Sequence, residues 1–368
     1  MILASTLEWR ILFRRAGTLD SRLAVLRSVL PFATSVFAVK GQPGADELGE
    51  ARLRLRKIAS YATYSGVIPA PTRFRPYGIS ALVTARNEED WVETSIVSVL
   101  NFVDEVLAVD HASEDSTLEI MEEMAARFPK KVRLIRFRDE PFHRVLNTLM
   151  DTAKYQWVCR FSGDFVARTS GPNSIANLTE LLRKLDRHRY FSISLSGIAL
   201  DGDLHHQFPN RRDHYEPIIF RWSPWLRFGV KERWESLHVP WFYEKLWIEQ
   251  PYYFHMRSVK SDVRMLQKLY WSHWFDARNK GSPVGLREYM SKRGIQEYGG
   301  RTLEEAAKNF TILEYQGCVP FSREICGDYP DLLVPALANP PFRLVFRDGR
   351  VVDRQSGARY RPVTQTEA

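Results

Sequence analysis

Between residues 79 and 162 short apolar segments alternate with amphipathic ones, and few folds accept such a pattern. ISALVT (79–84), DEVLAVD (104–110), KVRLIRF (131–137) and YQWVCRF (155–161) read as strands. Between them, residues 90–102 place Trp91, Ile96, Val99 and Leu100 at helical spacing. STLEIMEEMAARF (116–128), capped by Ser113 or Ser116, and HRVLNTLMDTAK (143–154) read as further helices. Strands alternating with helices of about a dozen residues predict right-handed βαβ units and a parallel sheet. YFSISLSGIAL (190–200) and EPIIFRW (216–222) follow as strands without a crossover, so the sheet becomes mixed after Asp164. SVKSDVRMLQKLYWSHWF (258–275) reads as a basic helix, LREYMSKRG and LEEAAKNF as shorter ones, and FRLVFRDGRVVD (342–353) as a hairpin around Asp348-Gly349. The predicted class is α/β, a Rossmann-type mixed sheet with helices on both faces. Gly- and Pro-rich stretches at 41–49 and 67–76 divide the chain into a helical N-terminal extension and linker (1–75), a main domain (76–290) and a small C-terminal α+β extension (291–368).

In open sheets of this kind, ligands bind beyond the carboxyl ends of the strands. RNEED (86–90), Asp110 and SGDF (162–165) all follow strand ends directly, so the acids there face a site rather than bulk water. The sequence carries no GxGxxG, no GxxxxGK[ST] and no GxSxG, which sets aside a dinucleotide fold, a P-loop and a serine hydrolase. A nucleotidyltransferase would want a Gly-rich loop where RNEED stands. Carboxylates at successive strand ends, with basic and aromatic segments downstream, suit a hard divalent cation that holds a diphosphate.

The net charge of +8 is uneven: residues 1–40 carry six Lys/Arg (Arg10, Arg14, Arg15, Arg22, Arg27, Lys40) against Glu8 and Asp20. Arg interleaved with apolar residues such as Leu23, Leu26 and Leu30 suits a helix packed on the main domain, or a peripheral anchor on anionic lipid. No apolar run is long enough to span a bilayer, and the start does not resemble a secretory signal. Cys159, Cys318 and Cys326 form no CxxC pair, and their odd number fits a reducing compartment, hence a cytoplasmic location. Cys159 reads as a buried bystander. The basic residues elsewhere are scattered among acids without a nucleic-acid-binding pattern, so no nucleic-acid partner is expected. Ten Trp and fifteen Tyr exceed what a core needs, and the concentration between Trp222 and Trp274 suggests a stacking surface for a sugar or a base.

ISALVTARNEEDWVETSIVSVLNFVDEVLAVDHASEDSTLEIMEE resembles the opening of family-two glycosyltransferases of the GT-A fold. Those begin with a strand ending in a small residue plus Asn-Glu, then carry a strand ending in Val-Asp and a Ser-x-Asp-x-Thr loop. Here the corresponding stretch runs from Val109 and Asp110 to Thr117. VLNTLMDTAKYQWVCRFSGDFV is similar to the family stretch that ends in an Asp-x-Asp metal motif. The similarity covers about residues 79–167 and continues more weakly to about 275. By resemblance, Thr84, Ala85, Asn87 and Glu88 line a nucleotide pocket, and Asp110 accepts a hydrogen bond from the base. Asp164 and His255 bind a divalent cation (Mn²⁺ or Mg²⁺) that bridges the diphosphate. Two positions depart from the family: Ser162 replaces the first metal-motif Asp and would meet the ribose or a metal-bound water, and Phe165 replaces a following acid.

On the acceptor side the resemblance points to Glu235, in RWESL, as the general base, and to Arg257 and Lys260 as cations for the leaving diphosphate. Glu232 and Glu244 compete with Glu235, which also reads as a surface acid paired with Arg233, and His238 competes with His255. Asp110 and Asp164 have an alternative reading as turn or cap residues. Glu89, Asp90 and Asp115 read as first-turn helix acids, and His205 and His206 as a solvated loop. The expected function is transfer of a sugar from a nucleotide-diphosphate donor to a glycan, lipid-linked or other hydroxyl acceptor, inverting and metal-dependent. The alternative is a silent relative that binds nucleotide or sugar as a scaffold.

Overall fold

The computed structural model describes residues 45–359, except 139, 208–211, 232–233, 280, 282–283, 316–317, 339–343, 349 and 354–355. The basic segment 1–40, Glu232, Arg233 and Gly349 of the expected hairpin turn therefore lie outside the described residues.

Helix α1 (Ala45–Tyr64) precedes a βα run: β1 (Ile79–Ala85), α2 (Val92–Val99), β2 (Glu105–His111), α3 (Thr117–Arg127), β3 (Val132–Phe137), α4 (Phe142–Thr152) and β4 (Trp157–Ser162). Then come β5 (Phe165–Ala167), α5 (Leu178–Lys184), β6 (Tyr190–Asp201), β7 (His206–Gln207) and β8 (Arg212–Arg221). A hairpin, β9 (Arg227–Lys231) and β10 (Trp234–His238), is followed by the long β11 (Tyr243–Ser258). Helices α6 (Asp262–Asn279), α7 (Leu286–Tyr298) and α8 (Leu303–Tyr315) close that half, and a terminal hairpin pairs Leu344–Arg347 with Arg350–Asp353. The expected boundary at residue 290 falls inside α7, whose Met290 shares one apolar cluster with Leu266 of α6 and Phe310 of α8.

The main sheet has eight strands in the order β3-β2-β1-β4-β8-β6-β11-β5. Strands β1 to β4 are parallel. Antiparallel pairing enters at β8, which runs against both β4 and β6, so the change to a mixed sheet past Asp164 is as the sequence predicts.

All seven residues of β1 are buried, as a strand covered on both faces requires. Its alternate residues feed opposite layers. Ala81 and Val83 pack with Val92, Ile96 and Val99 of α2, whereas Leu82 packs with Val145, Leu146 and Leu149 of α4. The same alternation separates Val106 and Ala108 from Leu107 and Val109 in β2. Each such Val, Leu or Ile side chain stabilises the fold by about 1.5–3 kcal/mol through removal from water. Cys159 belongs to the first layer, and burial pushes its thiol up to about 12.

Neither Ser113 nor Ser116 caps α3. The Ser113 hydroxyl instead accepts from the Asn87 backbone N–H (3.0 Å), and Asp115 accepts from the Thr117 N–H (3.0 Å). No helix among the described residues is long and apolar enough to cross a membrane.

Candidate functional site

A cavity of about 410 Å³ opens at the carboxyl ends of β1 and β4. Thr84, Ala85, Asn87 and Glu88 line it from the β1 end, Ser162 from β4, Glu235 from β10, Lys260 from the link between β11 and α6, and Lys268 from the second turn of α6. The chain is folded to hold this rim. Gly163 N–H donates to the Thr84 carbonyl (2.8 Å), and a Cβ on Gly163 would stand 2.6 Å from that of Ala85, so the close approach demands glycine. The Ser95 hydroxyl on α2 donates to the Ser162 carbonyl (2.9 Å), and Met256 N–H on β11 donates to the Asp164 carbonyl (2.8 Å).

The acids of RNEED are spoken for by cations of the α6 region. Lys260 pairs with Glu88, and Arg264 reaches Glu89 (2.7 Å), Asp90 (3.6 Å) and Asp115. Glu89 and Asp90 precede α2, which begins at Val92, so tertiary ion pairs rather than the first-turn dipole account for them. Asn87 adopts a left-handed backbone (φ 54), which Asn tolerates. Its carbonyl accepts from Arg264 (2.6 Å), and its side-chain oxygen accepts from Glu114 N–H (2.7 Å). One turn beyond Arg264, Lys268 lies on the same face of α6, followed by Trp271 and Phe275 in the cavity wall. The i, i+4, i+7, i+11 spacing of these residues was the available sequence signal for Arg264, Lys268 and Trp271, residues that motif reasoning missed.

Asp164 is buried, 1% exposed, and its Oδ2 faces Lys268 Nζ (2.7 Å), His255 Nε2 (3.2 Å) and Lys260 Nζ (3.3 Å). Burial by itself would raise its carboxyl, but Lys268, Lys260 and His255 outweigh that and hold it well below the usual carboxylate range. Burial likewise disfavours the Lys260 ammonium, and Glu88 and Asp164 reverse this, so it stays charged.

The arrangement brings together Asp164 and His255, the expected metal ligands, but does not fit a divalent cation. No group of three or more His, Cys, Asp or Glu suited to holding a metal occurs among the described residues. The Phe165 ring stacks on Tyr253 (4.5 Å between centroids) and meets His255 edge-on (4.7 Å), so an apolar contact fills the place of the family acid. Two ammonium groups already stand at Asp164 Oδ2. A unit charge about 4 Å from another is worth about 4 kcal/mol at an effective dielectric of ~20, and a dication facing both lysines would meet a multiple of that.

Four expected residues stand outside the cavity lining: Asp164 and His255, which lie behind Lys260 and Lys268, and Asp110 and Arg257. Asp110 is buried and accepts from Ser113 N–H (3.2 Å), the alternative turn role, beside Ala112 in a left-handed conformation (φ 55). Arg257 contributes its carbonyl, which accepts from Lys268 (3.3 Å), while its guanidinium does not line the cavity. Glu235 is paired with Arg160 of β4; its competitor Glu244 is paired with Arg189 away from the cavity. His238 is exposed on β10. His206 is not a solvated loop residue: its ring bonds Asp203 (2.8 Å) on a short strand. Of the tryptophans between 222 and 274, Trp271 lines the cavity, whereas Trp222 and Trp225 pack edge-on around Phe74. His111, stacked on Phe142 (5.7 Å), completes the cavity wall.

Residues 80–239, which carry β1 to β4 and most of the rim, match the family model for glycosyl transferase family 2. This segment is a family 2 glycosyltransferase domain. Its mixed sheet with helices on both faces is the GT-A-like arrangement that the sequence resemblance implies. Among solved structures, S. aureus TarS residues 1–349 is 12% identical, with 77% of this chain and 99% of that one covered and a TM-score of 0.34. Glucosyl-3-phosphoglycerate synthase from Mycobacterium tuberculosis, in complex with Mg²⁺ and UDP, is 19% identical, with 34% of this chain and 45% of that one covered and a TM-score of 0.25. No curated protein matches the chain.

Proposed function

We propose that this glycosyltransferase passes a sugar from a nucleoside-diphosphate donor to a hydroxyl acceptor with inversion at the anomeric carbon. The observation that carries this reading is the cavity in the family 2 domain where Thr84, Ala85, Asn87, Glu88 and Ser162 meet Lys260 on one side and Glu235 on another. The strand-end residues receive the nucleotide, and the lysine side receives its diphosphate. Glu235, oriented by Arg160, takes the proton of the acceptor hydroxyl as that oxygen bonds the anomeric carbon. The bond from that carbon to the diphosphate oxygen breaks, and its electron pair leaves with the diphosphate, whose growing charge the cations stabilise. Asp110 acts through the 110–113 loop that it fixes rather than by lining the cavity. The metal dependence implied by the family resemblance is left out of this reading, because two ammonium groups stand at Asp164 Oδ2. A glycan or lipid-linked acceptor, and peripheral attachment at the cytoplasmic face through residues 1–40, belong to the same proposal on sequence grounds.

A panel of nucleoside-diphosphate sugars, UDP-GlcNAc among them, tests the reading by thermal stabilisation and by release of the nucleoside diphosphate. A true donor raises the melting temperature in step with its concentration and is consumed when an acceptor is present. Stabilisation without turnover over a broad acceptor set would favour the scaffold, and no stabilisation by any donor would remove the reading.

A further inference from the structure

The carboxylate that in relatives is expected to hold a cation is already neutralised here by side chains. Lys260 is 4% exposed and fixed between Glu88 and Asp164, and it is one of the residues that line the cavity. Lys268 is different in kind. Its side chain is 42% exposed, it lines the cavity too, and it donates to Asp164 from the open side. One lysine is therefore rigid and buried, and the other is free to turn from a carboxylate toward an arriving anion. Both reach the same oxygen of Asp164, at 3.3 Å and 2.7 Å, so their charges stand close together at the cavity. An ammonium offers three donors on a compact charge, which suits the oxygens of a diphosphate. Lys260 spends donors on Glu88 and Asp164, and those two carboxylates keep it charged and in place rather than competing for the ligand.

We propose that Lys260 and Lys268 take the place of a divalent cation in this protein and bind the donor's diphosphate directly. The proposal rests on the donor reading above and names the groups that hold that donor. Phe165 fits it: an aromatic contact with Tyr253 and His255 closes the space behind Asp164, where a second acid would have been needed to hold a metal.

Calorimetry on the full chain with UDP, and separately with inorganic pyrophosphate, tests it in EDTA and in Mn²⁺. Both ligands are expected to bind in EDTA, with Kd changing by less than about threefold when Mn²⁺ is supplied. Lys268→Met is expected to weaken both by at least about tenfold in EDTA, while Lys268→Arg keeps most of the affinity and both variants melt close to the parent. Lys260→Met leaves two buried carboxylates facing each other and is expected to unfold readily, so Lys268 bears the test. Binding that appears only with Mn²⁺, or that ignores Lys268→Met, overturns the proposal. Pyrophosphate binding in EDTA with no affinity for UDP or any other nucleoside diphosphate supports the lysine site and overturns the donor reading. Nucleotide binding that requires Mn²⁺ does the reverse. No binding of either ligand in either buffer overturns both.

Discussion

The guanidinium of Arg86 lies 3.3 Å from the ring centroid of Trp271, a contact that ties the residue following β1 to the middle of α6. Both residues line the cavity, so this stack forms part of its wall. A cation over an indole face contributes about 0.5–2 kcal/mol, depending on how dry it is. Trp271→Ala is expected to raise the Kd for a nucleoside diphosphate by roughly two- to thirtyfold. Trp271→Phe should recover part of the loss. Titration calorimetry checks both, and an unchanged Kd for Trp271→Ala would show that the wall does not touch the ligand.

Asp164 behaves as the hub of a buried charge cluster, which sets the outcome of its removal. Seen only as a strand-end ligand, it predicts a variant that folds normally and lacks activity. With Lys260, Lys268 and His255 all directed at one oxygen, Asp164→Ala leaves a fully buried ammonium beside Glu88 alone. Breaking a buried pair from one side costs about 3–5 kcal/mol. Urea unfolding should show a loss of that order, together with loss of transfer. A variant as stable as the parent would show that the cluster opens readily to water.

Glu235→Gln separates chemistry from binding. The amide keeps the shape beside Arg160 but cannot take a proton, so turnover is expected to fall about a hundred- to ten-thousandfold with donor affinity preserved. Glu244→Gln should turn over like the parent, because its carboxylate is engaged with Arg189 outside the cavity. Product formation at saturating donor distinguishes the two, and the opposite ranking would move the base to Glu244.

His111 gives the folded state a pH dependence. Burial lowers its pKa from an ordinary 6.5, with the neighbouring Arg86 acting the same way and the Glu140 carbonyl and the Glu140 and Asp110 carboxylates opposing. The unfolded chain therefore binds a proton at this ring more readily than the folded one. Stability should rise with pH through the window below about 6.5 and level off above it. Urea unfolding between about pH 5 and 8 should show that slope in the parent and a shallower one in His111→Gln. Equal slopes would place the dependence elsewhere.

The periodicities of the chain determined its layers. ISALVTA, EVLAVDH and WVCRFS carry apolar residues that alternate between two faces, and the first two are each followed by a segment with helical spacing, so parallel strands covered on both sides are the arrangement that buries them. Those same strands fixed where the polar ends of RNEED and SGDF would emerge, since ligands gather at the carboxyl edge of such a sheet. What the acids meet there was decided only by the tertiary structure. Glu88 finds Lys260 across 172 residues, and Asp164 finds Lys268 across 104. A carboxylate at a strand end is the same in sequence whether a metal, a ligand or an ammonium group will stand opposite it. Its partner depends on how α6 is laid over the sheet edge, and that follows from the packing of β11 and of helices α6 to α8. Periodicity is a local signal and charge compensation is not, so the sheet and the place of the site were legible while the lysines that fill it were not.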